Sequence, residues 1–279
     1  MWTNTSGGVV QSDSTGPPLR PDPPEALALS DVTVRFGGVS ALNHVDLEVP
    51  SGQLCGLIGA NGAGKTTLFD VISGLRVPYS GSVRLHGTDV TGWSVQRRAR
   101  FGLRRTFQRV QVFGWLTVEE NLLVANEWRG GGGGVLGDLI GLRSRANHER
   151  ERRTRAEEVL ARCGLLDIRD RSAASLPIGT ARLVELARAL MDDPTVLLLD
   201  EPASGLDSSE AERFGDLVTR IAEDHETAIL LVEHDVGFVM QRCHRVMVLH
   251  LGEVLADDTP ERVRDDPMVL SAYLGTSAD

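Results

Sequence analysis

The chain has 279 residues, a formal net charge of −10, a pI near 5.2 and 41% hydrophobic residues. That length lets a globular chain bury roughly 70–75% of the surface its unfolded form exposes, and the acidic balance excludes bulk nucleic-acid binding, which needs a basic footprint. Three cysteines (Cys55, Cys163, Cys243), an odd number with no C-x-x-C pair, speak against a disulfide framework or a zinc site and for a reducing compartment.

Residues 1–25 are rich in Pro, Ser, Gly and Thr and read as a disordered extension. They lack a basic segment followed by an apolar one, so no secretory signal is expected. No apolar run approaches the roughly 18 residues of a transmembrane helix, so the chain reads as cytoplasmic, with any membrane span supplied by another protein. A strand is predicted over Leu27–Phe36, with a turn at Gly37-Gly38. Val45 to Val49 alternate apolar and polar, and Ser51-Gly52 turns the chain into a buried strand over Gln53–Ile58. The glycine loop Gly59 to Gly64 then opens a helix with Leu68, Val71, Ile72 and Leu75 at i, i+3, i+4, i+7, stopped by Gly74 and Val77-Pro78.

Residues 80 to 107 mix short strand signals with an Arg-rich helix. From about 110 to 175 the pattern is helical, broken at Gly130–Gly134 by an expected loop. Continuous apolar strands return at Val196–Leu199, Ala228–Val232 and Val246–Leu251, alternating with helices. That alternation is the mark of a mostly parallel sheet covered on both faces. The expected fold is an α/β domain interrupted by a mainly helical insertion. The basic runs Arg97–Arg109 and Arg143–Arg155 read as solvated helix faces in preference to a nucleic-acid or anionic-lipid surface.

Two segments carry chemistry. Gly59-Ala60-Asn61-Gly62-Ala63-Gly64-Lys65-Thr66 fits G-x-x-x-x-G-K-[ST] between a strand and a helix. Its glycines let backbone N–H groups curl around a phosphate chain at a helix N-terminus, with Lys65 reaching the β- and γ-phosphates and the Thr66 hydroxyl on Mg²⁺. Of the 29 basic residues, 28 are arginine and the single lysine is Lys65, which marks a place where a broad guanidinium does not replace a compact ammonium. The second segment, Val196-Leu197-Leu198-Leu199-Asp200-Glu201, is an apolar strand delivering two carboxylates at its C-terminal end. Asp200 is expected to hold Mg²⁺ through water, and Glu201 to act as general base on the attacking water.

With these motifs the chain resembles the ATP-binding-cassette ATPases from about residue 27 to 275. The resemblance implies a P-loop NTPase (RecA-like) core with a mostly parallel sheet, an N-terminal antiparallel β subdomain and an inserted helical subdomain at about 109–178, all within a single domain over 26–279. It implies ATP and Mg²⁺ as ligands, and a nucleotide contacted by Gly59, Asn61, Gly62, Ala63, Gly64, Lys65, Thr66 and Thr67. In the same sense Phe36 stands where the family stacks an aromatic on adenine, and Gln108 where the Q-loop glutamine contacts Mg²⁺ beside Thr66 and Asp200. Leu176-Pro177-Ile178-Gly179-Thr180 stands where the signature motif lies, with Gly179 and Thr180 toward a second subunit's nucleotide. Ser204-Gly205-Leu206-Asp207 looks like the D-loop and His234 like the switch histidine, which leaves Glu201, His234 and Gln108 as the catalytic set. The signature departs from L-S-G-G-Q at Pro177 and Thr180, so a site built with it is expected to hydrolyse more slowly than one with the full motif.

Arg105-Thr106-Phe107-Gln108, Leu116 to Leu122, Leu231 to Asp235 and the tail Thr259 to Gly275 are most similar to the branched-chain amino-acid importer subunits, with urea and lipid-export relatives as alternatives. The partners implied are transmembrane permease subunits, a second cassette subunit of the same or another chain, and, indirectly, an extracytoplasmic solute-binding protein; nucleic acid is not among them. The rival reading is a soluble cassette ATPase without a transport role, against which stand a single cassette and no sustained heptads.

Overall fold

The computed structural model describes residues 25–125 and 142–274. Residues 1–24, most of the expected extension, and the Gly130–Gly134 run lie outside the described residues. Glu25, placed in the extension by composition, instead opens the first strand.

The described residues form two sheets. β1 (Glu25–Phe36), β2 (Val39–Pro50), β4 (Ser80–Leu85) and β5 (Thr88–Asp89) make an antiparallel sheet in the order β2-β1-β4-β5. The second sheet has the order β10-β9-β3-β8-β7-β6, built from β3 (Leu54–Ile58), β6 (Leu103–Arg105), β7 (Val196–Asp200), β8 (Ala228–Val232), β9 (Arg245–His250) and β10 (Glu253–Asp258). Its pairs are parallel except for the edge hairpin β9–β10. The helices are α1 (Lys65–Ser73), α2 (Val95–Arg100), α3 (Val118–Ala125), α4 (Leu142–Arg162), α5 (Ile178–Leu190), α6 (Ser208–His225), α7 (Val236–Arg242), α8 (Pro260–Asp265) and α9 (Pro267–Leu274).

Strand periodicity explains how one sheet serves two cores. Leu197, Leu199, Ile229, Leu231, Val246 and Val248 point to one face, against α3 to α7. Val196, Leu198, Leu230, Val232, Met247 and Leu249 point to the other, against α1 and the antiparallel sheet. Both faces are therefore dry, which is why these strands read as unbroken apolar runs. The parallel strands place four loops at one carboxyl edge, after β3, β6, β7 and β8, and the phosphate loop, Gln108, Asp200, Glu201 and His234 sit there.

α1 ends at Ser73, with Gly74 the stop that the sequence predicts. Gly74 takes φ 81° as its C-cap, so Leu75, expected on the buried stripe, lies past the helix and is exposed.

The first basic run is a solvated face only in part: Arg97, Arg100 and Arg109 are exposed, whereas Arg98, Arg104 and Arg105 are drawn inward. Arg98 is fully buried: its Nη1 donates to the carbonyls of Val71 (2.6 Å) and Ile72 (2.7 Å), and its Nη2 to that of Thr91 (2.8 Å). The last carbonyls of a helix have few intrahelical donors (that of Val71 takes the capping Gly74 N–H at 3.2 Å), and the Arg98 guanidinium supplies further ones. Burial lowers the Arg98 pKa to about 10, so it stays charged at neutral pH. Arg104 bonds Asp192, and Arg105 bonds Asp70 and Asp200. In the described part of the second run, Arg153 pairs with Glu149 on an exposed face as expected, whereas Arg155 bonds the Leu190 carbonyl and Asp193.

Candidate functional site: a phosphate loop facing paired carboxylates

The loop after β3 is shaped by glycine where the backbone requires it. Gly59 (φ 155°) and Gly64 (φ 110°) lie in the left-handed half of conformational space, and a Cβ would stand 2.2 Å from the Leu249 carbonyl oxygen at the first and 2.6 Å from that of Ala41 at the second. Lys65, the first residue of α1, folds back over this loop. Its Nζ donates to the carbonyls of Gly59 (2.6 Å) and Ala60 (3.1 Å), and the residue is 7% exposed. Burial pulls its pKa down, opposed by the negative charges of Glu201 and Asp200. A cavity of about 210 Å³ opens here, lined by Ala41, the segment Asn61 to Thr67, Asp200, Glu201, Val232 and His234. The start of α1, with its unshared N–H groups and positive dipole end, faces paired acids across it.

The acids come from the end of β7. Asp200 continues the ladder with β8, and its Oδ2 accepts from Arg105 Nη2 (3.0 Å). Glu201 leaves the strand at φ 48°, a conformation that costs a non-glycine residue about 1–3 kcal/mol and that recurs where a side chain must be aimed. Its N–H still reaches the Val232 carbonyl (2.9 Å). Both carboxylate oxygens are engaged: Oε2 accepts from Gln108 Nε2, and Oε1 is joined to His234 Nε2, each at 2.6 Å. Three residues 93 and 33 positions apart in sequence thus meet at one carboxylate.

The remaining expected site residues lie elsewhere. Phe36 ends β1, half exposed, with the Arg76 guanidinium 4.2 Å over its ring, and it is not among the cavity's lining residues. Gly179 and Thr180 open α5 and also do not line the cavity. Pro177, expected in the first turn, is the N-cap and supplies no side-chain cap. A Cβ at Gly179 would stand 2.4 Å from the Glu210 carboxylate, a side-chain end that would have to shift to admit it. Asp207 is the N-cap of α6 in a capping box: its Oδ1 accepts from Glu210 N (2.8 Å), while Glu210 Oε2 accepts from Asp207 N (3.1 Å). The backbone bond from Glu210, followed by that of the Ser209 hydroxyl, holds the Asp207 carboxyl below its ordinary range.

Sequence reasoning missed two supports. Arg105, 9% exposed at its side chain, ties Asp200 to Asp70 and Ser73 of α1. Glu233, 5% exposed, accepts from the N–H groups of Ala203 (2.6 Å) and His234 (3.2 Å) and so braces the loops after β7 and β8 together; burial raises its pKa against those donors. Both lie inside segments quoted for their resemblance, but nothing short of the tertiary pairing reveals their partners.

Comparison with known proteins places this geometry. An "ABC transporter" family model matches residues 42–204, and a "Branched-chain amino acid ATP-binding cassette transporter" model matches residues 253–279. The chain therefore belongs to the ATP-binding cassettes of the ABC transporters, ATPases that bind ATP and couple its hydrolysis to transport. It is 40% identical over 249 residues, covering 89% of the chain and 97% of the relative, to the high-affinity branched-chain amino acid transport ATP-binding protein BraF of Pseudomonas aeruginosa. The same figures hold for LivG of Escherichia coli strain K12, which carries the same description. The sulfate/thiosulfate import ATP-binding protein CysA of Mycobacterium bovis is 34% identical over 242 residues, 87% of this chain and 64% of that one. Among solved structures, the ADP conformation of MJ1267, an ATP-binding cassette of an ABC transporter, superposes with a TM-score of 0.77 at 29% identity, covering 90% of this chain and 99% of that one. Among the described residues no helix is long and apolar enough to cross a membrane.

Proposed function

We propose that this cassette powers import of branched-chain amino acids, working at the cytoplasmic face of a membrane on separate permease subunits and as one half of a cassette dimer. The observation that carries the cargo is the joint match of the chain's end, residues 253–279, and of 97% of the length of curated relatives described as branched-chain amino acid transport proteins. The cassette fold by itself does not select a cargo, as the sulfate/thiosulfate relative makes plain. The geometry of the cavity supports the phosphate end of the site, whereas Phe36, Gly179, Thr180 and Asp207, which do not line it, are carried by the family resemblance. The amides of Gly59 to Gly64 and the Lys65 ammonium take the triphosphate, and Phe36 takes the adenine. Gly179, Thr180 and Asp207 serve the nucleotide shared with the second cassette. Glu201 draws the proton from a water that attacks the γ-phosphorus as the bond to the β–γ bridging oxygen breaks, releasing ADP and phosphate. Gln108 and His234 hold the Glu201 carboxylate toward that water.

Thr66, Asp200 and Gln108 offer only oxygen donors of the kind Mg²⁺ takes. Bound there with ATP, Mg²⁺ supplies charge neutralisation on the β- and γ-phosphates. ATP binds the closed dimer better than the open one, and this differential affinity is what moves the permease.

The test is purification of the Glu201→Gln chain from native membranes in MgATP, with identification of its integral partners. Multi-span permeases that confer leucine, isoleucine or valine uptake are expected, and permeases for another solute would remove the cargo assignment. The signature departure gives a second expectation. Pro177 has no N–H and no hydroxyl to offer a phosphate, so Pro177→Ser with Thr180→Gln should raise turnover in the assembled complex; unchanged turnover would show that the departure is neutral.

A further inference from the structure

A second cavity, of about 320 Å³, opens among α7, α8, α9 and the end of β3. Its apolar lining is Ile58 from β3, Val236 and Met240 from α7, Val263 from α8, and Val269 and Leu270 from α9. Ile58, Val263 and Val269 are buried and belong to the core on the helical face of the sheet. The polar side chains of the lining are those of Gln241 and Arg264, both exposed. The Arg264 side chain has no ion pair or hydrogen bond among the described residues. Apolar walls with one or two polar groups at the opening are the ordinary make-up of a small-molecule site, and this volume lies at the lower end of the range such sites occupy.

The two cavities share the loops that frame them. Ile58 immediately precedes Gly59, and Val236 lies two positions after His234, while Asn61 to Thr67 and His234 line the phosphate cavity. α7 is joined to the loop after β8 by its N-cap, since Asp235 Oδ1 accepts from Phe238 N (3.1 Å). α8 and α9 lie within residues 253–279, the part of the chain matched by the branched-chain family model and outside the match of the general one. Gly275 to Asp279, which follow α9, are small or polar and do not match the apolar walls.

We propose that this second cavity binds a free branched aliphatic amino acid, the solute class the cassette imports, and that its occupancy opposes MgATP binding. The branched side chain fills the apolar part against Met240, Val263 and Val269. The carboxylate takes the Arg264 guanidinium, whose planar fork suits it, and the ammonium takes the Gln241 side-chain oxygen. An occupant in contact with Ile58 and α7 restrains the ends of both framing loops, and so resists their adjustment around a triphosphate. Solute delivered to the cassette's side of the membrane then slows its own further import through a coupling between two sites.

The inference rests on the branched-chain reading of the cargo. Leucine titrated calorimetrically into the full-length chain should bind saturably, one per chain, with isoleucine and valine close behind. Alanine, whose side chain is shorter, should bind roughly 10- to 100-fold more weakly. Arg264→Gln should weaken leucine about tenfold, while isoamylamine, which lacks the carboxylate, should be indifferent to that change. Leu270→Trp, at a half-exposed wall position, should block leucine and leave MgATP affinity and basal turnover as they are. In the Glu201→Gln chain, saturating leucine should weaken MgATP about fivefold, and MgATP should weaken leucine by the same factor. Absence of saturable binding, binding that ignores Arg264 and Leu270, tighter binding of 4-methyl-2-oxopentanoate than of leucine, or MgATP affinity indifferent to leucine would each overturn the proposal. Should Leu270→Trp not fold, Arg264→Gln, a change at an exposed residue, carries the test. Solute uptake by the assembled complex keeps the two readings apart: branched-chain uptake with no leucine bound to the cassette removes only this site, and uptake of another solute removes the cargo reading.

Discussion

Glu201→Gln lowers MgATP turnover by roughly 10²–10⁴-fold, the range supplied by a positioned general base, and leaves nucleotide binding intact. The carboxylate is 13% exposed, is turned out of its strand at a positive φ, and has one oxygen on Gln108 and the other on His234. An amide of the same shape keeps the packing but cannot accept the proton of an attacking water. It also presents an NH₂ group where the carboxylate accepted on both sides, so one of the two supporting contacts is weakened as well. Because hydrolysis stops while ATP still binds, the variant should accumulate as an ATP-bound dimer. Phosphate release and nucleotide binding measured side by side check this: near-parental turnover would take Glu201 out of the chemistry, and lost binding would make it a structural residue.

The second large effect is expected from a substitution that looks conservative. Lys65→Arg should weaken MgATP binding by roughly 10- to 100-fold, the worth of one charge-assisted hydrogen bond, with little change in thermal stability. The ammonium is enclosed by the Gly59 and Ala60 carbonyls of its own loop, at 2.6 and 3.1 Å, in a cavity of about 210 Å³. A guanidinium is wider, planar and donates in a fixed fork, so it cannot point one compact charge along that axis. The 28 arginines elsewhere in the chain give the point its force, since Lys65 is the one cationic position not taken by arginine. Parental affinity in Lys65→Arg, measured by fluorescent-nucleotide titration, would mean that the loop amides alone hold the phosphates.

Local pattern made much of this legible. Ala228–Val232 is predicted and found to the residue, because a strand buried on both faces is an unbroken apolar run with turn residues at its ends. The phosphate loop is legible because its glycines are forced by positive φ and by close backbone approach. What escaped depends on pairings distant in sequence. Arg98 looks like surface charge until the end of α1 is seen to need its fork, and Arg105 until Asp200, 95 positions away, is beside it. Arg182 and Glu185 lie in a helix whose pattern gives its apolar stripe but not that two buried charges interrupt it to reach a loop more than seventy residues upstream. Leu75 fails for a simpler reason: helical spacing continues through a glycine that the backbone uses to stop.

All of these roles presuppose a triphosphate held between the loop after β3 and the acids at the end of β7. Calorimetric titration of MgATP into the full-length Glu201→Gln chain, where hydrolysis does not blur the heats, addresses this directly. The account predicts saturable binding of one nucleotide per chain, sharply weakened when Lys65→Arg is added. A flat titration, or one indifferent to Lys65, would contradict it.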